Sequence, residues 1–574
     1  MSIETLNVTK RVGYENLGIT QALGMKFVIK ELQQMPLLDT LARISSINLL
    51  LSTERREAPT ESRLRAVHLN PALQQRILRF ESQEGPGAVF NRQAALILIH
   101  FARQYADDTI ALSNTRHLDL NLGLFFLIAN DFLSQIEDLK FVDGDHDQNL
   151  KIMASHITRQ YLFHHSAQER YAVPQSWLIF EGLKGQAKPH NFLDISAEIE
   201  KSRGYTVDEY FSILTILYSY WGRQTFDEWD SKYVVINPES IFSGISISPD
   251  KYLKVLDSLS VEVRPRKGHP ALSNIADWKK EIYEQFELRL KPLIKINGRY
   301  ICSDIEFVKS AFWDGPYHTI LTDHPQTPLA KKMMNFLGDT TELFIRYIGK
   351  DAFKDQFVDI TTKTKENNPL GDGVIKISED WIVVVESKAA RPGIEMVSGD
   401  RPITELRDFE KLLNKGLTQL SDRIQEYREL DGFKGRITPL LITAGHIPQH
   451  EIIWDLIDKE IGNLYFRNNN TADYPFVMDL EAWNVICSAQ KAGIAISELL
   501  TARYKDRSTM TSNPGYFLFK LMFDDKNREE PPHPELLSLF EDRAQLLIAE
   551  LFQKPMGKRK SSPDAWRPLF NLQR

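Results

Sequence analysis

GDGVIKISEDWIVVVESKAARPG, residues 371–393, is the stretch on which the reading of this chain turns. Two apolar runs, GVIKIS and WIVVVESKAA, are rich in the β-branched residues that suit a pleated, buried surface, and the polar Ser378-Glu379-Asp380 separates them. The pattern predicts a β-hairpin. Residues 381–385 are apolar enough to lie inside a sheet, yet the run ends in Glu386 and, two positions on, Lys388. Period-two alternation points those two side chains to one face. Asp372 stands seven positions before Glu379 and Glu386 seven after it. The two carboxylates are therefore expected opposite each other at the open end of the hairpin.

Working outward, Thr327 reads as a helix N-cap with Pro328 at the first helical position, opening a helix that carries Glu342. A strand QFVDITTKT comes next, then the hairpin, a long helix ITELRDFEKLLNKGLTQLSDRIQEYREL and a strand RITPLLITAG. In the long helix Leu406, Phe409, Leu413, Leu417, Leu420, Ile424 and Tyr427 recur at three or four, which predicts one buried stripe. The order is helix, strand, strand, strand, helix, strand. A hairpin sheet whose last strand is reached through a crossover helix is an α/β layer.

The chain has 574 residues, too many for one hydrophobic core. Its 42% hydrophobic and 26% charged content is that of a globular protein, and a net charge of −7 confines any nucleic-acid affinity to local patches. Two cysteines, Cys302 and Cys487, argue for a reducing compartment and against a disulfide scaffold or a cysteine zinc site. The opening MSIETLNVTKRVG lacks the apolar core of a secretory leader, and LNLGLFFLIAN is too short to span a bilayer. The expectation is a soluble, cytoplasmic protein with no membrane partner.

Period and composition divide the chain into four expected parts. Residues 1–225 form a helical domain, marked by QALGMKFVIKELQQM, RQAALILIHFARQYA and YFSILTILYSYW. Residues 226–325 are mixed α/β, of winged-helix-like adaptor character, with Asn297-Gly298 as a two-residue hairpin turn and a basic loop over 264–270. Residues 326–478 hold the hairpin domain, including a short strand NLYFR and an asparagine-rich loop at 468–470. Residues 479–574 are a helical C-terminal region with a linker REEPPHPE, an amphipathic helix after it, and a basic tail at Lys558, Arg559 and Lys560.

Several features read more simply as structure than as sites. His100 and His164-His165 suit satisfied or exposed histidines. Asp143, Asp145 and Asp147 open like a calcium loop, but Gln148 and Ala154 replace the glycine and glutamate such a loop needs. Tyr218, Tyr220 and Trp221, at helical spacing, suit the core better than base stacking. No G-x-x-x-x-G-K-[ST] occurs, so ATP-driven translocation would need a partner ATPase.

Cutting a phosphodiester calls for a divalent cation on hard oxygen ligands, an activated water and a positive group nearby. Asp372, Glu386 and Lys388 supply those parts at one strand end. Other acid-x-Lys matches occur at Asp138, Asp230, Asp277 and Asp524, but none follows an apolar strand with an acid one hairpin upstream. The competing reading is a surface salt bridge at a strand end.

Leu-Gly-Asp372 followed by Glu386-Ser387-Lys388, together with the flanking element order over residues 327–445, resembles the PD-(D/E)XK nuclease superfamily. The resemblance implies an α+β multidomain protein with a restriction-endonuclease-like core of order αβββαβ. It implies Mg²⁺, with Mn²⁺ as a substitute, bound by Asp372, Glu386 and the carbonyl of Ser387. Lys388 would serve the nucleophile, and the acid that many members carry on the first core helix maps onto Glu342, where Arg346 four residues on also suits an ordinary helical ion pair. Gln419 lies where some members carry a helix glutamine. The implied activity is that of a DNA endonuclease acting on double-stranded DNA in microbial restriction or anti-phage defence, as a homo-oligomer or with a partner ATPase. The alternatives are a catalytically silent nuclease fold that binds nucleic acid or scaffolds a partner, and a subunit that is silent until a trigger joins it.

Overall fold

The computed structural model describes residues 10–19, 23–53, 59–111, 114–136, 149, 169–222, 231–263, 287–358, 372–389, 402–445, 472–473 and 475–505. Outside them lie the acidic loop at 143–147, His164-His165, the basic loop at 264–270, NLYFR, the asparagine loop, and everything expected beyond residue 505. The other acid-x-Lys matches fall wholly or partly outside as well.

The protein is α+β, mostly helical with small mixed sheets. Its chain forms two compact units: Met1–Asp138 with Arg203–Gly315 and Leu551–Arg574, and Leu139–Ser202 with Pro316–Glu550. Among the described residues no helix is long and apolar enough to cross a membrane.

In the first unit the helix Arg92–Tyr105 is buried at twelve consecutive positions from Ala94 onward. It therefore runs through the core, and the strongly apolar AALILIHFA is the reason. His100 is buried in the core, with its Nε2 bonded to Gln104 (2.8 Å). Trp221 and Tyr218 are buried, and the Trp221 indole donates to Tyr233 O (3.2 Å), so these aromatics pack the interior. Strands Leu293–Ile296 and Arg299–Cys302 pair antiparallel about Asn297-Gly298, both at positive φ (47° and 75°), the geometry a two-residue turn requires.

The second unit holds the hairpin. Helix α1 (Pro328–Phe353) is capped by Thr327, whose hydroxyl accepts from Ala330 N. It buries Met333, Phe336, Leu337, Phe344, Ile345 and Ile348 along one stripe. Strands β1 (Phe357–Val358), β2 (Gly373–Ser378) and β3 (Trp381–Lys388) form an antiparallel meander. Helix α2 (Pro402–Asp431) crosses over to β4 (Arg436–Thr443), which lies parallel to β3. Strand β5 (Phe476–Asp479) then lies parallel to β4, giving the described sheet the order β5-β4-β3-β2-β1.

Strand β3 is central, and Ile382, Val383, Val384 and Val385 are all buried. A strand buried at successive positions has both faces covered, and both α1 and α2 pack against it. Each such side chain contributes about 1.5–3 kcal/mol relative to exposure. The α2 side chains Leu417, Leu420 and Ile424 are buried at the expected spacing, whereas those of Leu406, Phe409 and Leu413 lie outside the described set. Asp479 caps helix α3 (Leu480–Lys491), whose buried Trp483 donates its indole N–H to Ile345 O of α1 (3.3 Å).

Candidate active site

The register of β2 and β3 runs from Lys376 opposite Ile382 to Gly373 opposite Val385. That is the pairing counted from the turn. An irregularity between Lys376 and Ser378 shifts the last rung so that Ser378 faces Trp381, leaving Glu379 and Asp380 as the turn. Asp372 stands one residue past the last paired rung, its N–H bonded to Val385 O (3.1 Å). Its carboxylate reaches beyond Glu386 to Ser387: Oδ2 accepts from the Ser387 amide (2.6 Å) and hydroxyl (2.5 Å). Ser387 thus holds Asp372 in place through two donors.

Lys388 turns back onto its own strand, donating from Nζ to Glu386 Oε1 (2.5 Å) and to Ser387 O (3.0 Å). Parallel β4 steadies this end, since Ala444 N donates to Lys388 O (2.8 Å). Helix α2 comes close because of Gly416, where a Cβ would stand 3.0 Å from Leu441 Cδ2 and 3.3 Å from Lys388 Cγ. At Gly373 a Cβ would stand 2.5 Å from Phe357 Cζ, so only glycine lets β2 pass the ring that packs beneath the site.

From α1, Glu342 Oε1 accepts from Arg346 (2.5 Å), the helical ion pair its spacing suggests. It is also drawn into the site: Glu342 Oε2 lies 3.7 Å from Lys188 Nζ. Asp339, one turn earlier and buried, accepts at Oδ2 from the backbone N–H of Lys188 (3.0 Å) and from Asn191 Nδ2 (3.0 Å). Its Oδ1 lies 3.4 Å from Lys188 Nζ.

The acids crowd one another. Burial, followed by the negative charge of Asp372, pushes Glu386 up to about 7 despite the opposing ammonium of Lys388 and guanidinium of Arg423. Burial and the Asp372 charge also raise Glu342, against Arg346 and Lys188. Burial works against the Lys188 ammonium, but Glu342 and Asp339 outweigh it and raise its pKa. Asp372, Glu386 and Glu342 thus share one electrostatic environment, in which Lys388, Arg423, Arg346 and Lys188 are the opposing cations.

No family model, curated protein or solved structure matches this chain. The site is therefore read from its own chemistry.

Among the described residues no three His, Cys, Asp or Glu side chains converge as a complete metal cage. Mg²⁺ does not require one: it commonly takes one or two carboxylates and keeps several waters. The donors fit such an ion. Two carboxylates, Asp372 and Glu386, are close enough for one to raise the other toward neutrality, a repulsion that a divalent cation removes. Gln419 gives a second sign. Its Oε1 is buried with no hydrogen-bond partner among the described residues, on the α2 stripe between Gly416, against Lys388, and Arg423, in the field of Glu386.

Sequence reasoning missed Lys188, Asp339, Asn191 and Arg423, and the hydroxyl of Ser387. Asp339 carried a signal, being an acid three residues before Glu342 and so on the same helical face. Lys188 carried none, since it precedes Asp339 by 151 residues and meets it only in the fold.

Proposed function

We propose that the second unit carries a restriction-endonuclease-like core and that the chain is a metal-dependent nuclease hydrolysing phosphodiester bonds. The observation that carries this reading is Glu386. It is a buried acid at the end of a central strand, raised to about 7 beside Asp372, and bonded by Lys388. The helix-strand-strand-strand-helix-strand order around it, with parallel β3 and β4, is the expected setting for such a site.

Asp372, Glu386 and the carbonyl of Ser387 would hold Mg²⁺, with Mn²⁺ as a substitute. When bound, the ion would polarise the scissile phosphate and make a water nucleophilic near neutral pH. The protein's own groups do the positioning. Ser387 orients Asp372 through its amide and hydroxyl. Lys388 carries a positive charge on the same face as Glu386, where it donates to the attacking oxygen and offsets negative charge developing on phosphorus. Glu342 adds a second acidic wall from α1, and its pairing with Arg346 steadies its orientation. The buried β3 runs beneath these groups and keeps their spacing.

Double-stranded DNA is the proposed substrate, and restriction or anti-phage defence in a microbial cytoplasm the proposed setting. The test is cleavage of supercoiled plasmid by the full-length protein with Mg²⁺, Mn²⁺ or EDTA. Cleavage is expected with either metal and lost in Glu386→Ala and Lys388→Ala, while Glu386→Ala retains DNA binding. Metal-dependent cutting that survives both substitutions would sink the proposal. DNA binding without cutting by the wild type would instead favour a silent nuclease fold.

A further inference from the structure

We propose that Lys188 is a substrate-positioning residue of this site, placing its ammonium on a backbone phosphate beside the bond that is cut. The inference rests on the nuclease reading and adds a cation from outside the helix-and-strand core. The two lysines of the site are held differently. Lys388 is drawn inward, with 24% of its side chain exposed and its ammonium at 2.5 Å from Glu386 and 3.0 Å from Ser387 O. Lys188 stands at the rim, 57% exposed, with its ammonium at 3.4 Å and 3.7 Å from Asp339 and Glu342.

Stability alone does not explain that arrangement, because an ion pair whose ammonium is this exposed adds little to folding. Yet a buried aspartate is committed to it. Asp339 Oδ2 accepts both the Lys188 amide and the Asn191 side chain, pinning the backbone and leaving the long side chain to reach. The same segment is closed on itself by Lys184, which pairs with Glu181 (2.7 Å) and Asp194 (3.1 Å). Its Gln186 also bonds the Tyr347 hydroxyl of α1. A lysine whose backbone is pinned and whose side chain is more than half exposed, beside a phosphodiesterase site, has the form of a phosphate contact, whereas an inward ammonium such as that of Lys388 serves the reacting atoms. The neighbouring carboxylates keep the rim ammonium protonated, so its charge persists through the neutral range.

The experiment measures binding of a fluorescein-labelled 20-base-pair DNA duplex to full-length protein in the Glu386→Gln background, across a salt series, beside plasmid cleavage by the wild type. Lys188→Gln is expected to weaken binding about tenfold at low salt and to lower the slope of log affinity against log salt by about one. Lys188→Arg is expected to keep both. An unchanged slope in Lys188→Gln, with the wild type cutting plasmid, overturns this inference and leaves the nuclease reading standing. A loss shared equally by Lys188→Arg overturns it too, since charge would not be what matters. A wild type that neither cuts nor binds DNA removes the nuclease reading and this inference together.

Discussion

Asp304 in the first unit and Glu386 in the second are both buried carboxylates, and the fold treats them in opposite ways. The Asp304 side chain has no exposure and is saturated: Oδ2 accepts from Arg92 Nε (2.5 Å) and Asn48 Nδ2 (3.0 Å). Its Oδ1 accepts from Arg92 Nη2 (3.0 Å) and from the amides of Glu306 and Phe307 at a helix start. Glu386 is bonded by one ammonium and feels the guanidinium of Arg423, yet burial and the neighbouring carboxylate of Asp372 still raise its pKa to about 7. A buried charge kept for structure is matched donor by donor, because an unmatched one costs several kcal/mol. A buried charge left short of cations, beside another of its own sign, marks a place where a cation or proton is expected to arrive.

The contrast breaks most sharply in activity. Glu386→Ala and Lys388→Ala are each expected to lower the rate of metal-dependent DNA cleavage by on the order of 10³-fold. Asp304→Asn, assayed per folded molecule, is expected to leave that rate unchanged. Equal losses in the two classes would erase the distinction.

Stability should run the other way. Asp304→Asn strands the Arg92 guanidinium in the interior and is expected to destabilise by about 3–5 kcal/mol. Glu386→Gln removes one of two repelling acids and is expected to hold or raise the thermal midpoint at pH 7.5. A drop of several degrees in Glu386→Gln would show that the acid is structural after all.

The pH profile sharpens the point. With its pKa raised from the ordinary 4.5 to about 7, Glu386 keeps its proton in the folded chain after losing it in the unfolded one. Between those values the unfolded state binds fewer protons, so this group's contribution to stability falls as pH rises, by on the order of 3 kcal/mol in all. Below pH 4.5 the penalty is absent, and above pH 7 it is complete. The thermal midpoint of wild type minus that of Glu386→Gln should therefore decline from pH 4.5 to 7 and level off beyond. A flat difference would contradict the crowding.

The smallest effect concerns the support beneath the site. Gly373→Ala places a methyl against the Phe357 ring, costing about 1–3 kcal/mol as the strand gives way. Because Asp372 is the preceding residue, cleavage should fall as well, and chemical denaturation alongside a plasmid assay reads both.

Much of this end of the molecule was legible in the sequence. The side-chain period of a strand is two, so counting from the turn set Lys376 to Gly373 against Ile382 to Val385 despite the irregular rung beside the turn. The apolar valines marked a strand covered on both faces, and the polar residues after them marked its open end. What stayed hidden was whatever depends on distant chain. The sequence divided residues 1–225 from the hairpin, whereas the described residues 169–202 belong to the hairpin's unit and bring Lys188 to Asp339. No local period encodes that meeting, since only tertiary packing selects which lysine reaches which acid. The Ser387 hydroxyl was hidden for a different reason. Spacing places a side chain on a face but does not say that Asp372 will reach past its expected partner to the next residue.

The most direct test is calorimetric titration of the full-length protein with Mg²⁺ at pH 7 in two buffers of different ionisation enthalpy. The account predicts binding accompanied by release of a fraction of a proton, as the cation displaces the one Glu386 retains. It also predicts loss of both signals in Glu386→Gln. Mg²⁺ binding of equal strength and equal proton release in wild type and Glu386→Gln, or no binding to the wild type, would contradict it.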